Sequence, residues 1–260
     1  MALSVGDAYS ATGAAWRDGP QRVYGRLAEV LVASSPVGLE GHRVADVGSG
    51  TGAASVAIAR AGGRPIALDL AAGMLLVDRT DRPPAVVADA RSLPLATGSC
   101  RAVVAAFSFN HVPDPHAAFA EAARVTGPGG AVLASAYATD DSHPVKRAVE
   151  VAAIESGWSR PAWMAEVTEH AVPLLATVDG ARRVAAAAGL VAEVEQVDVA
   201  FPELDAAALV RWRLGMAQVA PYVAGLAPDR RAQLERRALE LLGPDPEPLV
   251  RRIIVLVART

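Results

Sequence analysis

Between residues 43 and 137 short apolar runs take turns with amphipathic stretches. Arg43–Val47 reads as a first strand, and a helical run from Ala53 to Ala61 follows it. Arg64–Leu68 is a second apolar run ending at Asp69, Ala71–Thr80 reads as a helix, and Ala85–Ala88 is a third strand ending at Asp89. Arg101–Phe107 is a fourth strand. Asp114 is a good N-cap and Pro115 suits the first helical position, so a helix is predicted to run to Val125. Gly127-Pro128-Gly129-Gly130 predicts a turn into a fifth strand, Ala131–Ala136. Strand and helix in regular alternation imply a parallel sheet covered on both faces, an α/β doubly wound architecture.

The flanks are patterned differently. Residues 5–33 read as broken helix, with apolar residues at helical spacing over Val23–Val32 and a stop at Ser34-Ser35-Pro36. Residues 138–176 show weak periodicity. Helix resumes near Asp179 and ends at Gly189, and Val191–Ala200 alternates apolar with acidic residues as a half-exposed strand does. Residues 205–242 are helical with a break from Pro221 to Pro228, and Arg252–Ala258 is a closing apolar strand.

The sharpest signal is the passage from the first strand into Gly48-Ser49-Gly50-Thr51-Gly52 and then into a helix. Glycines let the backbone approach a ligand closely, and the helix start offers unpaired N–H groups, so this is a nucleotide-type site. Ligands of doubly wound sheets sit outside the carboxyl ends of the strands. Asp69, at the end of the second strand, stands at the spacing from Gly50 that suits a grip on ribose hydroxyls. Asp89, one strand further, could accept from an exocyclic amine such as that of adenine. The turn also satisfies the loose dinucleotide form, glycine-x-glycine-x-x-alanine, which keeps an NAD(P)-dependent oxidoreductase as an alternative. Asp46 argues against it, because an acid beside a pyrophosphate is electrostatically poor, whereas it suits a ligand with an ammonium group.

Composition narrows the classes. The chain has 260 residues with a net charge of −3, which disfavours nucleic acid as a partner. The arginines of Arg230–Arg237 interleave with Asp229, Glu235 and Glu240 and read as a solvated helix face. A single cysteine, Cys100, forms no internal disulfide and fits a reducing, cytoplasmic compartment. No basic-then-apolar leader and no membrane-length apolar run are seen, so neither secretion nor a membrane is expected. No grouping of acids or histidines suggests a metal.

With these residues in view, the chain resembles the class I S-adenosylmethionine-dependent methyltransferases, in particular the small-molecule branch that includes the ubiquinone and menaquinone C-methyltransferases. Asp46-Val-Gly-Ser-Gly-Thr-Gly52 carries the resemblance, with Ala67-Leu-Asp-Leu-Ala-Ala-Gly-Met74, Ala88-Asp89-Ala90 before Leu93-Pro94, the Gly127–Gly130 turn, and Asn110-His111-Val-Pro-Asp114. The match covers about residues 40–140, and the closing strand is similar to the family's last strand. The resemblance implies a Rossmann-like seven-stranded sheet with the last strand antiparallel, in one domain. Residues 1–40 would be a helical lid, 41–137 the cofactor-binding core, and 138–176 with 205–242 a substrate cap.

Carried over by position, Gly48, Ser49 and Gly50 would pack against the methionine part of S-adenosyl-L-methionine. Asp46 would sit beneath, holding the turn or the ammonium. Asp69 would bind the ribose, Leu70 and Met74 would line the adenine pocket, Asp89 and Ala90 would read the adenine edge, and Phe107 would face the methyl donor. Plain helix-core packing is the lesser alternative for Leu70 and Met74.

For an oxygen or nitrogen acceptor His111 is the best-placed base, with His143 and His170 more distant candidates; a structural or substrate-shaping role for His111 is the alternative. Trp158, Trp163, Met164 and Trp212 would give an apolar, aromatic pocket suited to a small hydrophobic or aromatic substrate, or would simply pack a cap onto the core. Tyr9, Trp16 and Tyr24 would close over the cofactor. The expected activity is methyl transfer by a monomer or homodimer. A non-methylating use of the same pocket, such as a cyclisation, is the first alternative, and the nicotinamide-dependent reductase, for which no tyrosine–lysine pair is seen, the second.

Overall fold

The computed structural model describes residues 4–260, so residues 1–3 of the expected 1–40 lid lie outside it. Seven strands form one sheet: β1 (Arg43–Val47), β2 (Arg64–Asp69), β3 (Ala85–Val87), β4 (Cys100–Ala106), β5 (Thr126–Tyr137), β6 (Val191–Phe201) and β7 (Leu249–Arg259). Their order is β3-β2-β1-β4-β5-β7-β6. The first five strands pair in parallel, and β7 runs antiparallel between β5 and β6. The expected doubly wound sheet with an antiparallel last strand is therefore present.

Alternation along the strands builds two apolar layers. Val44, Val104, Leu133 and Val255 face one layer with Leu27 and Leu31 of α3 (Pro20–Ala33) and Ile58 of α4 (Ala53–Arg60). Their neighbours Ala45, Val103, Val132 and Ile254 face the other, against Phe119 of the 115–125 helix and Val184 of the 178–187 helix. All eight of these strand residues lie within 2% of full burial, as central strands covered on both faces must. Two short helices, α1 (Val5–Ser10) and α2 (Gly13–Asp18), precede α3 and lie across the carboxyl edge. The Asp114 cap is as expected: its Oδ1 accepts from the Ala117 N–H at 3.1 Å, and the helix it starts spans Pro115–Val125.

Three expectations need correction. The helix read over Ala71–Thr80 is only α5 (Ala72–Leu75), followed by turns in which Asp78 has a φ of 49°. A left-handed residue cannot continue a helix. The Gly127–Gly130 segment is not a separate turn but the irregular start of β5, whose register against β4 shifts between Cys100 and Ala102. Residues 138–176 hold a regular helix, Pro144–Glu155, that buries Val145, Ala148, Val149 and Ala152 at helical spacing.

Candidate active site

The carboxyl ends of β1, β2 and β4, the β3–β4 loop, and α1 overhead enclose a cavity of about 550 Å³. Gly48 and Gly50 from the glycine turn line it, as do Asp69, Leu70, Met74, Asp89, Ala90, Phe107 and His111. Asp46 and Ser49 do not reach it. Asp46 on β1 and Ser49 in the turn are both buried, and one Asp46 oxygen accepts from the Ser55 Oγ at 2.6 Å. Its other oxygen and the Ser49 hydroxyl have no partner among the described residues.

Close contact explains the first glycine. Gly48 has a φ of +72°, and a Cβ there would meet the Ser108 Cβ at 2.2 Å. Ser108 is held in place because its Oγ donates to the Val47 carbonyl at 2.6 Å. The exits of β1 and β4 thus pass within one methyl group of each other.

Asp69 organises the turn. One carboxylate oxygen accepts from the Gly50 N–H at 2.7 Å and the other from the Ala71 N–H at 2.7 Å. Burial raises its pKa, and the two backbone bonds and Arg82 pull it down. Arg82, which sequence reasoning missed, donates to the carbonyls of Met74 at 3.0 Å and Gly50 at 3.1 Å. It sits in the loop before β3 with no motif around it, so only the fold could reveal it. Asp89 lines the cavity with both oxygens engaged by Arg91, at 2.7 Å for the Nη2 bond, which holds its pKa below the usual carboxylate range.

The far wall is aromatic. Phe107 adopts a φ of 56°, an uncommon backbone state for a side chain of its size. Its ring centroid lies 5.3 Å from that of Tyr24 and 4.6 Å from that of Tyr137. Tyr9 of α1 packs edge-on against His111 at 5.7 Å and near Trp16 and Trp163. The docking of α1 is tight, because a Cβ on Gly73 would stand 2.0 Å from the Ser10 carbonyl oxygen.

Tyr9, Trp16 and Tyr24 line the cavity, and so does Trp163 from the 138–176 segment. Met164 packs against the cluster that holds Trp163. Trp158 is buried and donates to the Gln218 carbonyl at 3.0 Å, and Trp212 is buried in the main core. Neither lines the cavity. His143 caps the helix that starts at Pro144, accepting from the Val145 N–H at 3.2 Å, and His170 is exposed. Among the described residues no group of three or more His, Cys, Asp or Glu side chains gathers as for a metal.

The buried Asp46 and the half-buried His111 oppose each other in their pH response. Burial pushes the Asp46 carboxyl up to about 7, with the nearby Asp69 adding to it and the Ser55 bond opposing. Burial pushes His111 down to about 4. Asp46 binds its proton more tightly folded than unfolded, so its contribution is full below about pH 4 and lost as pH rises through 7. His111 binds its proton less tightly folded, so its contribution is full above about pH 6.5 and lost as pH falls towards 4. Between these limits the two slopes cancel. In urea titrations from pH 4.5 to 6.5, Asp46→Asn should make stability rise with pH, by at most about 1.4 kcal/mol per unit. His111→Phe should make it fall. Parallel profiles for the wild type and both variants would refute the opposition.

The family model described as methyltransferase domain matches residues 45–134, the span that builds this cavity floor. A demethylmenaquinone methyltransferase of Renibacterium salmoninarum is 37% identical over 142 residues, covering 54% of this chain and 56% of that protein. Its counterpart in Corynebacterium efficiens is 33% identical over 135 residues, covering 52% and 57%. Residues 45–134 of this chain are therefore similar to a methyltransferase domain. The chain spans a little over half the length of these curated relatives.

Solved structures extend the likeness of fold to the whole chain. A protein solved in complex with the Haloferax volcanii Trm112 methyltransferase activator is similar at a TM-score of 0.60 and 21% identity, covering 100% of this chain and 99% of that one. Phosphoethanolamine N-methyltransferase 2 of Haemonchus contortus, solved with S-adenosyl-L-methionine, is similar at 0.56 and 17%, covering 90% of this chain and 52% of that one. No described helix is long and apolar enough to cross a membrane.

Proposed function

We propose that the protein transfers a methyl group from S-adenosyl-L-methionine to a small molecule with an aromatic or hydrophobic body. The observation that carries this reading is the joint placement of Gly48, Gly50 and Asp69 at the mouths of β1 and β2, facing an aromatic wall across one cavity. The methyltransferase relatives support it over the nicotinamide and cyclisation readings.

The residues present fit the cofactor. Gly48 and Gly50 present bare backbone to the cavity, and Leu70 and Met74 offer an apolar slot beside Asp69. A carboxylate has about four lone-pair sites, and the Gly50 and Ala71 N–H groups use two of them, which leaves two for ribose hydroxyls. Asp46 would hold the turn from beneath, beside Ser49. Asp89 and Ala90 would meet the adenine edge, and Phe107 would face the methyl donor. When bound, S-adenosyl-L-methionine supplies a methyl group on a positively charged sulfur.

The protein's own contribution is then alignment and exclusion of water. Residues 4–40 would act as a lid through Tyr9, Trp16 and Tyr24, over the 41–137 core. Trp163 would represent the 138–176 cap at the acceptor. His111 stays neutral at physiological pH, so its ring can accept a proton or a hydrogen bond from the acceptor. We place no nucleic acid or membrane among its partners, and a cytoplasmic site of action is part of the same proposal.

A His111→Gln variant should lose about 10²-fold or more in kcat, the lower end of a general-base contribution, with cofactor affinity preserved. The kcat/KM profile of the wild type should carry its acidic limb near pH 4 rather than 6.5, following the depressed pKa. Unchanged turnover would make His111 a wall residue only. The activity itself is tested by screening tritium transfer from methyl-labelled cofactor to phenols, quinols and aromatic amines.

A further inference from the structure

Behind the aromatic wall lies a buried set of donors that the methyl-transfer reading does not use. The Arg251 guanidinium lies 3.9 Å from the centroid of Tyr137 and 4.9 Å from that of Trp212, with its side chain 2% exposed. Its Nη2 pairs with Asp141 at 2.8 Å. Its Nε and Nη1, the Tyr137 hydroxyl and the Trp212 Nε1 are buried without a partner among the described residues. Three of these four groups can only donate. An unmatched buried donor costs about 1–3 kcal/mol, so a concentration of them calls for an acceptor.

The charge has the same sense. Among the described residues Arg251, Arg213 and Lys146 stand near one another with one buried carboxylate, Asp141, which Lys146 also pairs at 2.7 Å, while Glu150, the other acid near Arg213, is partly exposed and pairs with Arg160. Arg213 points at the neutral Gln218 amide, whose oxygen accepts at 2.8 and 3.1 Å when turned towards it. Burial, and then the charge of Arg251, lower the pKa of both Lys146 and Arg213. An anion placed here would relieve that repulsion.

Position ties the cluster to the acceptor. Tyr137 ends β5, and Arg251 is near the start of antiparallel β7, so both stand at the carboxyl edge that holds the cavity. Phe107 and Tyr24 line the cavity, and Tyr137 packs against both, at 4.6 and 6.1 Å between ring centroids. One ring therefore separates the cavity wall from the guanidinium.

We infer that the methyl acceptor is an aromatic acid, whose carboxylate docks against Arg251, the Tyr137 hydroxyl and Trp212 behind the Phe107 wall. This rests on the methyltransferase reading. It requires the Tyr137 ring to swing when the acid enters, and it makes the Arg251–Tyr137 pair the determinant of acceptor charge.

The test is calorimetric titration of the full chain, saturated with S-adenosylhomocysteine, in chloride-free buffer. The probes are benzoate and 1-naphthoate, their neutral amides, and formate and chloride alone. At least one aromatic acid should bind about tenfold or more tightly than its amide, the worth of one charge-assisted hydrogen bond. Arg251→Met, which leaves the Asp141–Lys146 pair in place, should erase that preference, and the isosteric Tyr137→Phe should reduce it several-fold. Neither should change affinity for S-adenosylhomocysteine.

Acids and amides binding alike, no acid binding, or a preference unmoved in Tyr137→Phe would overturn the inference. Formate or chloride binding as well as the aromatic acids would also overturn it, by leaving a small ion as the occupant. Failure of S-adenosylhomocysteine to bind in the first step would instead strike the methyltransferase reading.

Discussion

Replacing Gly48 with alanine is expected to abolish cofactor binding and to destabilise the fold by roughly 3 kcal/mol or more. Two costs combine. The backbone at this position has a φ of +72°, where an L-residue loses about 1–2 kcal/mol. The new Cβ would also stand 2.2 Å from the Ser108 Cβ, and Ser108 is tied to the Val47 carbonyl. Relief of the clash must push β1 and β4 apart at the point where the turn meets the cavity. The double variant Gly48→Ala/Ser108→Gly removes the clash and keeps the backbone strain, so it should recover part of the stability. Urea titration of the four members of this cycle gives the coupling. A coupling near zero would mean that the two strand exits do not constrain each other.

Asp69→Ala should weaken S-adenosyl-L-methionine binding by about 1–3 kcal/mol, roughly ten- to a hundredfold. The carboxylate has two roles that the substitution removes together. It pins Gly50 and Ala71 through their N–H groups, and it offers its remaining lone pairs to the ribose. Asp69→Asn keeps a single carbonyl oxygen, so it should fall between wild type and alanine. Cofactor affinity equal to wild type in the alanine variant would remove Asp69 from the ribose role. Loss of affinity with an equal loss of fold stability would leave only the pinning of the turn.

Much of this site could be read from the chain because its chemistry is local. Asp46, the glycines, Asp69 and Asp89 lie at or next to strand ends, and strand ends gather at one edge whatever happens between them. Leu70 and Met74 had core packing as the lesser alternative, and the fold brings both to the cavity. What the sequence hid depends on long-range approach. Arg82 reaches back 32 residues to the Gly50 carbonyl, and Ser108 crosses 61 residues to Val47. Trp158 and Trp212 looked like pocket residues because a tryptophan reads the same along the chain whether or not the fold brings it to the cavity, and neither lines it. Arg251 sits in a closing strand whose charge gave no sign of burial, and its surroundings exist only once β7 lies beside β5.

Calorimetric titration of the purified chain with S-adenosyl-L-methionine, S-adenosylhomocysteine and NAD(P)H is the most direct test of the central claim. The site described here predicts binding of one equivalent of each adenosyl ligand at about micromolar affinity, near −8 kcal/mol, and none of NAD(P)H. Binding of NAD(P)H alone would contradict it and reassign the glycine turn to a dinucleotide.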